Sequence, residues 1–135
     1  IVEAFESGNN QVKPVRPQTI AKSLAIGNPA AGPYSLEVLR DTGGTGVFAY
    51  ENSIIDGIRL LAETEGIFTE TAGGVVISSL KRLVKQGKIK KDEVTVAFVT
   101  GNGLKTLEAM GDFVAPIETK PDLDTFQKKL SNQKD

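Results

Sequence analysis

Residues 94–99 (Val-Thr-Val-Ala-Phe-Val) constrain the fold of this chain more than any other segment. An unbroken run of β-branched and apolar residues is typical of a strand that is buried on both faces of a parallel sheet. Residues 100–103 (Thr-Gly-Asn-Gly) follow at once, and helical character resumes from Leu104 to Met110. We therefore predict a strand, a glycine loop and the start of a helix, in that order.

Apolar residues at helical spacing, bounded by capping residues, Pro or Gly, predict helices elsewhere in the chain. These helices cover residues 32–42, 53–66 and 122–130, with a shorter one at 19–26, and a further helix opens within residues 69–74 and runs to residue 87. A second strand is predicted at residues 47–50. Strands that alternate with helices indicate an α/β fold, here a three-layer, mostly parallel sheet with flanking helices.

Domain organisation is predicted as residues 1–117 in one domain and residues 118–135 as a tail with a short helix. In that helix we expect Leu123, Phe126 and Leu130 to face inward. The first residues have the pattern of the end of an amphipathic helix, with Gly8 as its stop and no cap before it. This pattern predicts a fragment or a cut product.

The composition excludes several kinds of site. The sequence has neither cysteine nor histidine, which excludes a disulfide framework, a thiolate metal site and a serine–histidine triad within the chain. We expect no metal site. The formal net charge of −1 provides no overall field that would attract nucleic acid or an anionic membrane, and no apolar run approaches the roughly 18–20 residues of a membrane span.

Six basic side chains between residues 81 and 91 are the one local feature that favours an anionic surface or nucleic acid as a partner. No aromatic residue is interleaved among them to stack on bases. Their positions fit the polar face and the carboxyl end of the preceding helix, where positive charge is favourable. We interpret them as a solvated face and expect no nucleic-acid partner.

The loop at 100–103 is the first candidate ligand site. At the carboxyl edge of a parallel sheet, free amides at a helix start favour an anion or a polar ligand group. Thr100 would present its hydroxyl there, Gly101 would let the backbone approach closely, and Lys105 could supply a charge. The alternative is a tight turn that binds nothing.

Two further loops could form walls of a pocket. Residues 70–74 (Glu-Thr-Ala-Gly-Gly) start a helix with unusually small residues, which permits close packing against a flat ring or simply against a sheet. Residues 25–33 contain two glycines and two prolines, which suits either a rigid wall or an ordinary connector. The nearby Lys22 could form a Schiff base only if it were buried.

Three segments together resemble consecutive landmarks of the threonine synthase family. They are residues 19–29 (TIAKSLAIGNP), 65–74 (EGIFTETAGG) and 100–105 (TGNGLK), and their order and spacing agree with that family. The resemblance covers roughly residues 1–110. It implies part of the large domain of a fold-type II pyridoxal-phosphate enzyme, with a tryptophan-synthase-β-like fold. The implied reaction is the conversion of O-phosphohomoserine and water to threonine and phosphate, with pyridoxal phosphate as the electron sink.

The resemblance also implies roles for single residues. It puts Thr100 where the family has a hydroxyl that hydrogen-bonds the pyridine nitrogen of the cofactor, with Gly101 beside it. It puts Ala25, Ile26 and Glu70 on the cofactor side of the cleft. No catalytic residue is carried over, because the motifs for the Schiff-base lysine and for the phosphate loop have no counterpart in this sequence. The chain alone is therefore expected to be inactive.

Alternatives remain at this point. A related threonine or serine dehydratase has a similar fold, but its last glycine loop usually carries serine or cysteine where Thr100 stands. A non-catalytic binding module on the same scaffold is the other alternative. The resemblance implies a small-molecule substrate, a homodimer and a cytoplasmic location, or a plastid one in a plant.

Overall fold

The computed structural model describes residues 1–113 and 118–131. The α-helices within these ranges are α1 Val2–Glu6, α2 Gly32–Asp41, α3 Glu51–Glu65, α4 Thr71–Lys85 and α5 Leu123–Ser131. Two segments have 3₁₀ character, Lys22–Leu24 and Gly103–Phe113. The second is interrupted by non-helical backbone angles at Thr106 and Gly111. None of the helices in the described part of the chain is long and apolar enough to cross a membrane.

Helices α3 and α4 form the main packed unit. The apolar stripe of α3 is buried, with Ile54 and Ile58 at 1% and 0% exposure and Leu61 close behind at 7%. Ala72 and Ile77 of α4 are buried as well. Each fully buried side chain of this size contributes about 1.5–3 kcal/mol relative to an exposed one, so this pair of helices carries most of the core that positions the following loops.

Most helix boundaries are where the sequence predicts them. Pro33 lies in the first turn of α2, where its missing N–H costs nothing. Helix α3 ends at Gly66, whose φ of 68° is in the left-handed region that favours glycine. The predicted helix at residues 19–26 is reduced to the three-residue segment Lys22–Leu24. Thr19 still acts locally, because its hydroxyl accepts a hydrogen bond from the N–H of Ala21.

The predicted three-layer, mostly parallel sheet is wrong for the described residues. Neither residues 47–50 nor residues 94–99 form a strand, and the pairing found is an isolated antiparallel bridge between Thr69 and Asn102. The prediction that residues 94–99 are buried on both faces is also wrong. Val94, Val96 and Phe98 are 95%, 72% and 76% exposed.

The physical reason is that a strand, unlike a helix, takes its hydrogen bonds from neighbouring strands. Within the described ranges, the backbone of residues 94–99 has no hydrogen-bond partner. The carbonyl of Phe48 accepts its hydrogen bond from the Arg82 side chain, not from another strand. Five of these six residues have high β-propensity, yet the run stays unpaired because the described part of the chain has no neighbouring strand for it.

The tail helix α5 is confirmed, with bounds that differ by one residue from the prediction. Its start is capped by Asp122, whose Oδ1 accepts a hydrogen bond from the Thr125 N–H at 2.8 Å. The expected inward face is wrong, since Leu123, Phe126 and Leu130 are 66%, 44% and 40% exposed. The apolar spacing in this segment determines a helix face but not a partner for that face.

Candidate functional site

The glycine loop and the start of α4 are held together by backbone pairing. The Glu70 N–H donates to the Gly101 carbonyl at 3.1 Å, and the Gly103 N–H donates to the Phe68 carbonyl at 3.0 Å. Thr69 and Asn102 lie opposite each other between these two bonds. Two candidate segments that are about 30 residues apart in the sequence therefore form one site.

The glycines of the loop are required by space. A Cβ on Gly101 would lie 1.7 Å from Oε1 of Glu70, and one on Gly103 would lie 2.5 Å from ring atoms of Phe68. Neither residue has a positive φ. The sequence predicts that these glycines allow close approach to a ligand. In the structure, the space next to Gly101 is occupied by the Glu70 side chain, and the space next to Gly103 by the Phe68 ring.

Glu70 is the most enclosed charged residue of the site. Its side chain is 10% exposed, and Oε1 lies 3.9 Å from Nζ of Lys105, whose side chain is 64% exposed. Glu70 also precedes the first residue of α4, where a negative charge is favoured by the free N–H groups of the helix start. The carboxylate thus lies between Gly101 of the loop and Lys105 of the following 3₁₀ segment, and connects both to the start of α4.

Buried threonines surround this contact. The Thr69 hydroxyl donates to the Gly101 carbonyl at 3.0 Å, so that this carbonyl accepts two hydrogen bonds. The Thr106 hydroxyl accepts a hydrogen bond from the Thr71 N–H at 3.2 Å. The Thr71 hydroxyl is buried and has no hydrogen-bond partner among the described residues.

Thr100 lies at the open side of the same loop. It is exposed, and its hydroxyl forms no hydrogen bond within the described part of the chain. The neighbouring Gly101 is held through its carbonyl, so the hydroxyl is carried by a fixed backbone and is free to donate. A hydroxyl of this kind can donate to a neutral nitrogen or oxygen of a ligand.

Ala25 and Ile26 are not joined to this site by any hydrogen bond in the described ranges. Their N–H groups bond locally, to the carbonyls of Lys22 and Leu24. Ile26 is 60% exposed and lines a cavity of about 230 Å³ together with residues of α1. Lys22 is exposed, so the burial that a Schiff-base role requires is not present.

A carboxylate at the start of α3 connects the segment before Lys22 to the helical core. Glu51 Oε2 accepts a hydrogen bond from the Ile20 N–H at 3.0 Å. The pKa of Glu51 is lowered by the Thr19 hydroxyl, by the Ile20 N–H and by the positive charge of Lys22, in that order. Residues 19–22 are thereby anchored to α3 and not to the loop that carries Thr100.

One member of the basic stretch has specific contacts that the sequence does not reveal. The Arg82 guanidinium lies 4.4 Å from the ring centroid of Phe48 and 4.8 Å from that of Tyr50. It also donates to the Phe48 carbonyl at 2.7 Å. Lys81, Lys85, Lys88, Lys90 and Lys91 are exposed, which agrees with the interpretation as a solvated face.

Phe68, Thr69 and Thr106 take part in the site but were not predicted as site residues. Phe68 and Thr69 lie within a segment that the sequence singles out, so extending the candidate by two residues would have found them. Thr106 has no local signal, since a threonine in a helical stretch is ordinary. Its contact with Thr71 spans 35 positions and requires the tertiary structure.

The family model for pyridoxal-phosphate dependent enzymes matches residues 1–101 of the chain. Curated relatives include the threonine synthase of Methanocaldococcus jannaschii, which is 36% identical over 132 residues that make up 96% of this chain and 33% of that protein. The threonine synthase of Bacillus sp. strain ULM1 is 42% identical over 89 residues, or 66% of this chain and 25% of that protein. The threonine synthase of Mycobacterium tuberculosis is 32% identical over 108 residues, which make up 78% of this chain and 30% of that protein.

The chain spans about a third of the length of the first of these relatives, and it matches the carboxyl-terminal part of the threonine synthases. The family match covers the glycine loop as far as Gly101 and the whole of α4. The expected cofactor of the family, pyridoxal phosphate, is confirmed by this match. The chain therefore belongs to the pyridoxal-phosphate dependent enzymes.

Proposed function

We propose that this chain is part of a threonine synthase, which converts O-phosphohomoserine and water to threonine and phosphate. The threonine synthase relatives and the three ordered segments at residues 19–29, 65–74 and 100–105 support this proposal. The contacts between the second and third of these segments support it further, because they bring two of the landmarks into one site.

The residues at this site fit one edge of pyridoxal phosphate. The exposed Thr100 hydroxyl has no partner in the described ranges, and a neutral donor suits a pyridine nitrogen. Gly101 is beside it on a backbone that is held in place. Ala25, Ile26 and Glu70 are proposed for the cofactor side of the cleft on the resemblance alone. When bound, pyridoxal phosphate supplies the electron sink of the reaction.

In this proposal Thr100 orients the cofactor and tunes it. Its hydroxyl would donate a hydrogen bond to the ring nitrogen. A hydroxyl is neutral at the pH of the reaction, so it leaves that nitrogen less cationic than a carboxylate partner would. Thr100 neither gives nor takes a proton in this role, and no residue of the chain is assigned a catalytic proton transfer.

The single observation that carries the proposal is that a restrained backbone at Gly101 adjoins an unpartnered hydroxyl at Thr100. The Gly101 carbonyl accepts two hydrogen bonds, whereas the adjacent Thr100 hydroxyl accepts and donates none within the described residues. A fixed backbone next to a free hydroxyl is the arrangement that a ligand-orienting residue needs.

The test is an assay of the complete polypeptide that contains this segment, supplied with pyridoxal phosphate. We expect inorganic phosphate to be released from O-phosphohomoserine and threonine to accumulate in equal amount. Ammonia and a 2-oxo acid formed from threonine or serine, without phosphate release, would instead identify a dehydratase. If neither reaction is observed, the result would favour the alternative of a non-catalytic binding module. The 135-residue chain alone is proposed to be inactive in the same assay.

A homodimer and a location in the cytoplasm, or in a plastid if the source is a plant, belong to the same proposal. Both are carried by the resemblance to threonine synthases. Light scattering on the complete polypeptide would test the first, with a monomer mass as the contradicting result. Cell fractionation with an antibody to the chain would test the second, and recovery with a membrane or secreted fraction would contradict it.

A further inference from the structure

Glu70 fills the space beside Gly101 that any other residue would need for its own side chain. The Cδ and Cγ atoms of Glu70 lie 2.2 and 2.7 Å from the position of a Cβ on Gly101, and Oε1 lies 1.7 Å from it. The side chain of Glu70 therefore packs directly on the Cα of Gly101. Because Gly101 follows Thr100, this contact limits where the Thr100 backbone can lie.

The carboxylate has few partners for its degree of burial. The side chain is 10% exposed, and its charged neighbour in the described ranges is Lys105, at 3.9 Å. An ion pair of that length with an exposed lysine is weak, so its strength does not explain the burial of Glu70. Its geometry has a clearer consequence, because Glu70 packs on Gly101 within the loop and reaches the Lys105 side chain in the 3₁₀ segment that follows the loop.

The main chain of Glu70 also contacts Gly101, the residue on which its side chain packs. Its N–H donates to the Gly101 carbonyl, and the preceding Thr69 donates its hydroxyl to the same oxygen. Gly101 is thus restrained by two hydrogen bonds to its carbonyl and by the carboxylate against its Cα. No comparable restraint acts on the Thr100 hydroxyl, which has no partner among the described residues.

We infer that Glu70 is a positioning residue for Thr100. Its carboxylate, placed between Gly101 and Lys105, holds the backbone of the loop so that the Thr100 hydroxyl faces the ligand. This inference rests on the proposed role of Thr100 at the cofactor. It gives Glu70 an indirect role through Gly101, without contact between its carboxylate and the reacting atoms.

The test uses the complete polypeptide with bound pyridoxal phosphate and four variants: Thr100→Val, Glu70→Ala, the double variant, and Glu70→Gln. A residue that acts only through Thr100 can lose no more than Thr100 itself contributes. We therefore expect Glu70→Ala to lower kcat by up to the same factor as Thr100→Val, about two- to tenfold for one hydrogen bond. The double variant should be no slower than Thr100→Val, and KM should change little.

The visible absorbance of the bound cofactor and the exchange rate of the Gly103 amide are the readouts that do not depend on activity. Glu70→Ala should shift the absorbance in the same direction as Thr100→Val. It should also speed exchange at Gly103, whereas Thr100→Val should leave that exchange unchanged. Glu70→Gln keeps the shape against Gly101 and should give an intermediate effect, which also covers the case in which Glu70→Ala fails to fold.

A steric test complements these variants. Gly101→Ala should disturb the cofactor absorbance, since the new methyl group would meet Glu70, and adding Glu70→Ala should partly restore the spectrum. The matched control is Glu108→Gln, an exposed carboxylate in the same 3₁₀ segment, which should leave kcat and absorbance at wild-type values.

Two failures can be distinguished. If Thr100→Val lowers kcat but Glu70→Ala leaves it unchanged, or if the two losses multiply in the double variant, the positioning role is overturned and the proposed function stands. If Thr100→Val changes neither kcat nor absorbance, the role of Thr100 fails, and the role of Glu70 falls with it.

Discussion

Gly57 of α3 lies directly against Gly74 of α4: a Cβ on Gly57 would be 2.4 Å from the carbonyl oxygen of Gly74. A Cβ on Gly74 would in turn lie 2.5 Å from the Ile54 carbonyl oxygen. The two helices thus approach backbone to backbone at a point where neither has a side chain. Because Glu70 directly precedes α4, this crossing helps to set the position of Glu70 beside the glycine loop.

Gly57→Ala should therefore destabilise the chain by about 1–3 kcal/mol, the usual cost of an extra methyl group in a packed core. The gain of about 0.5–1 kcal/mol from replacing a helical glycine by alanine offsets part of this cost. Urea unfolding followed by circular dichroism measures the difference. Glu63→Ala on the exposed face of α3 is the control and should stay within about 0.5 kcal/mol of wild type. A Gly57→Ala chain as stable as wild type would show that the helices are not in close contact.

Arg82→Ala should loosen residues 47–50 from α4. The guanidinium hydrogen bond to the Phe48 carbonyl and the contacts with two aromatic rings are lost together. Their loss should cost about 1–2 kcal/mol. Hydrogen exchange at residues 47–50 should become faster, while Lys81→Ala, the exposed neighbour, should leave it unchanged. Equal exchange in both variants would contradict the role given to Arg82.

Glu51→Gln should remove a pH-dependent part of the stability. The folded-state pKa of Glu51 lies below its ordinary value of 4.5 because of the Thr19 hydroxyl and the Ile20 N–H. A lowered pKa means that the carboxylate stabilises the fold fully above about pH 4.5 and progressively less as the pH falls through the folded-state value. The difference in unfolding free energy between wild type and Glu51→Gln should therefore shrink on acidification.

The matched variant for this measurement is Glu37→Gln, which changes an exposed carboxylate on α2. Its difference from wild type should be small throughout the same range. If the Glu51→Gln difference is constant with pH, the hydrogen bonds from residues 19 and 20 do not stabilise the ionised form.

Thr100→Val in the complete polypeptide should lower turnover by about two- to tenfold, the contribution of a single hydrogen bond. The variant should still bind pyridoxal phosphate, since only the partner of the ring nitrogen is removed. Turnover is measured by phosphate release and binding by the absorbance of the cofactor. Thr45→Val, at another exposed threonine, should leave both values unchanged. Unchanged kinetics in Thr100→Val would refute the role of that hydroxyl.

The strand predictions show where reasoning from local sequence stops. Residues 94–99 have the composition of a buried strand, yet Val94 is 95% exposed. Composition indicates that a segment is suited to a β-sheet. A sheet also requires neighbouring strands, and no residue in this run specifies which segments those strands would be. Helices α3 and α4 were predicted nearly to their ends because each helix forms its hydrogen bonds within the segment itself.

The candidate site was predictable in part. The glycines and the hydroxyl at residues 100–103 mark the loop, and the small residues after Glu70 mark the start of α4. The approach of Glu70 to Gly101 could not be inferred, because the two residues are 31 positions apart and neither has a pattern that names the other. Thr106 is a similar case, since its role depends on a single long-range hydrogen bond.

The amino-acid sequence by itself determined the longer helices, the glycines that follow them and the family resemblance, because these depend on local spacing and on short motifs. Only the tertiary structure decided that the two loops pair, that Glu70 takes the place of a Gly101 side chain, and that residues 94–99 lie exposed. Such contacts depend on which distant segments meet, and a one-dimensional pattern determines the faces available for packing but not their partners.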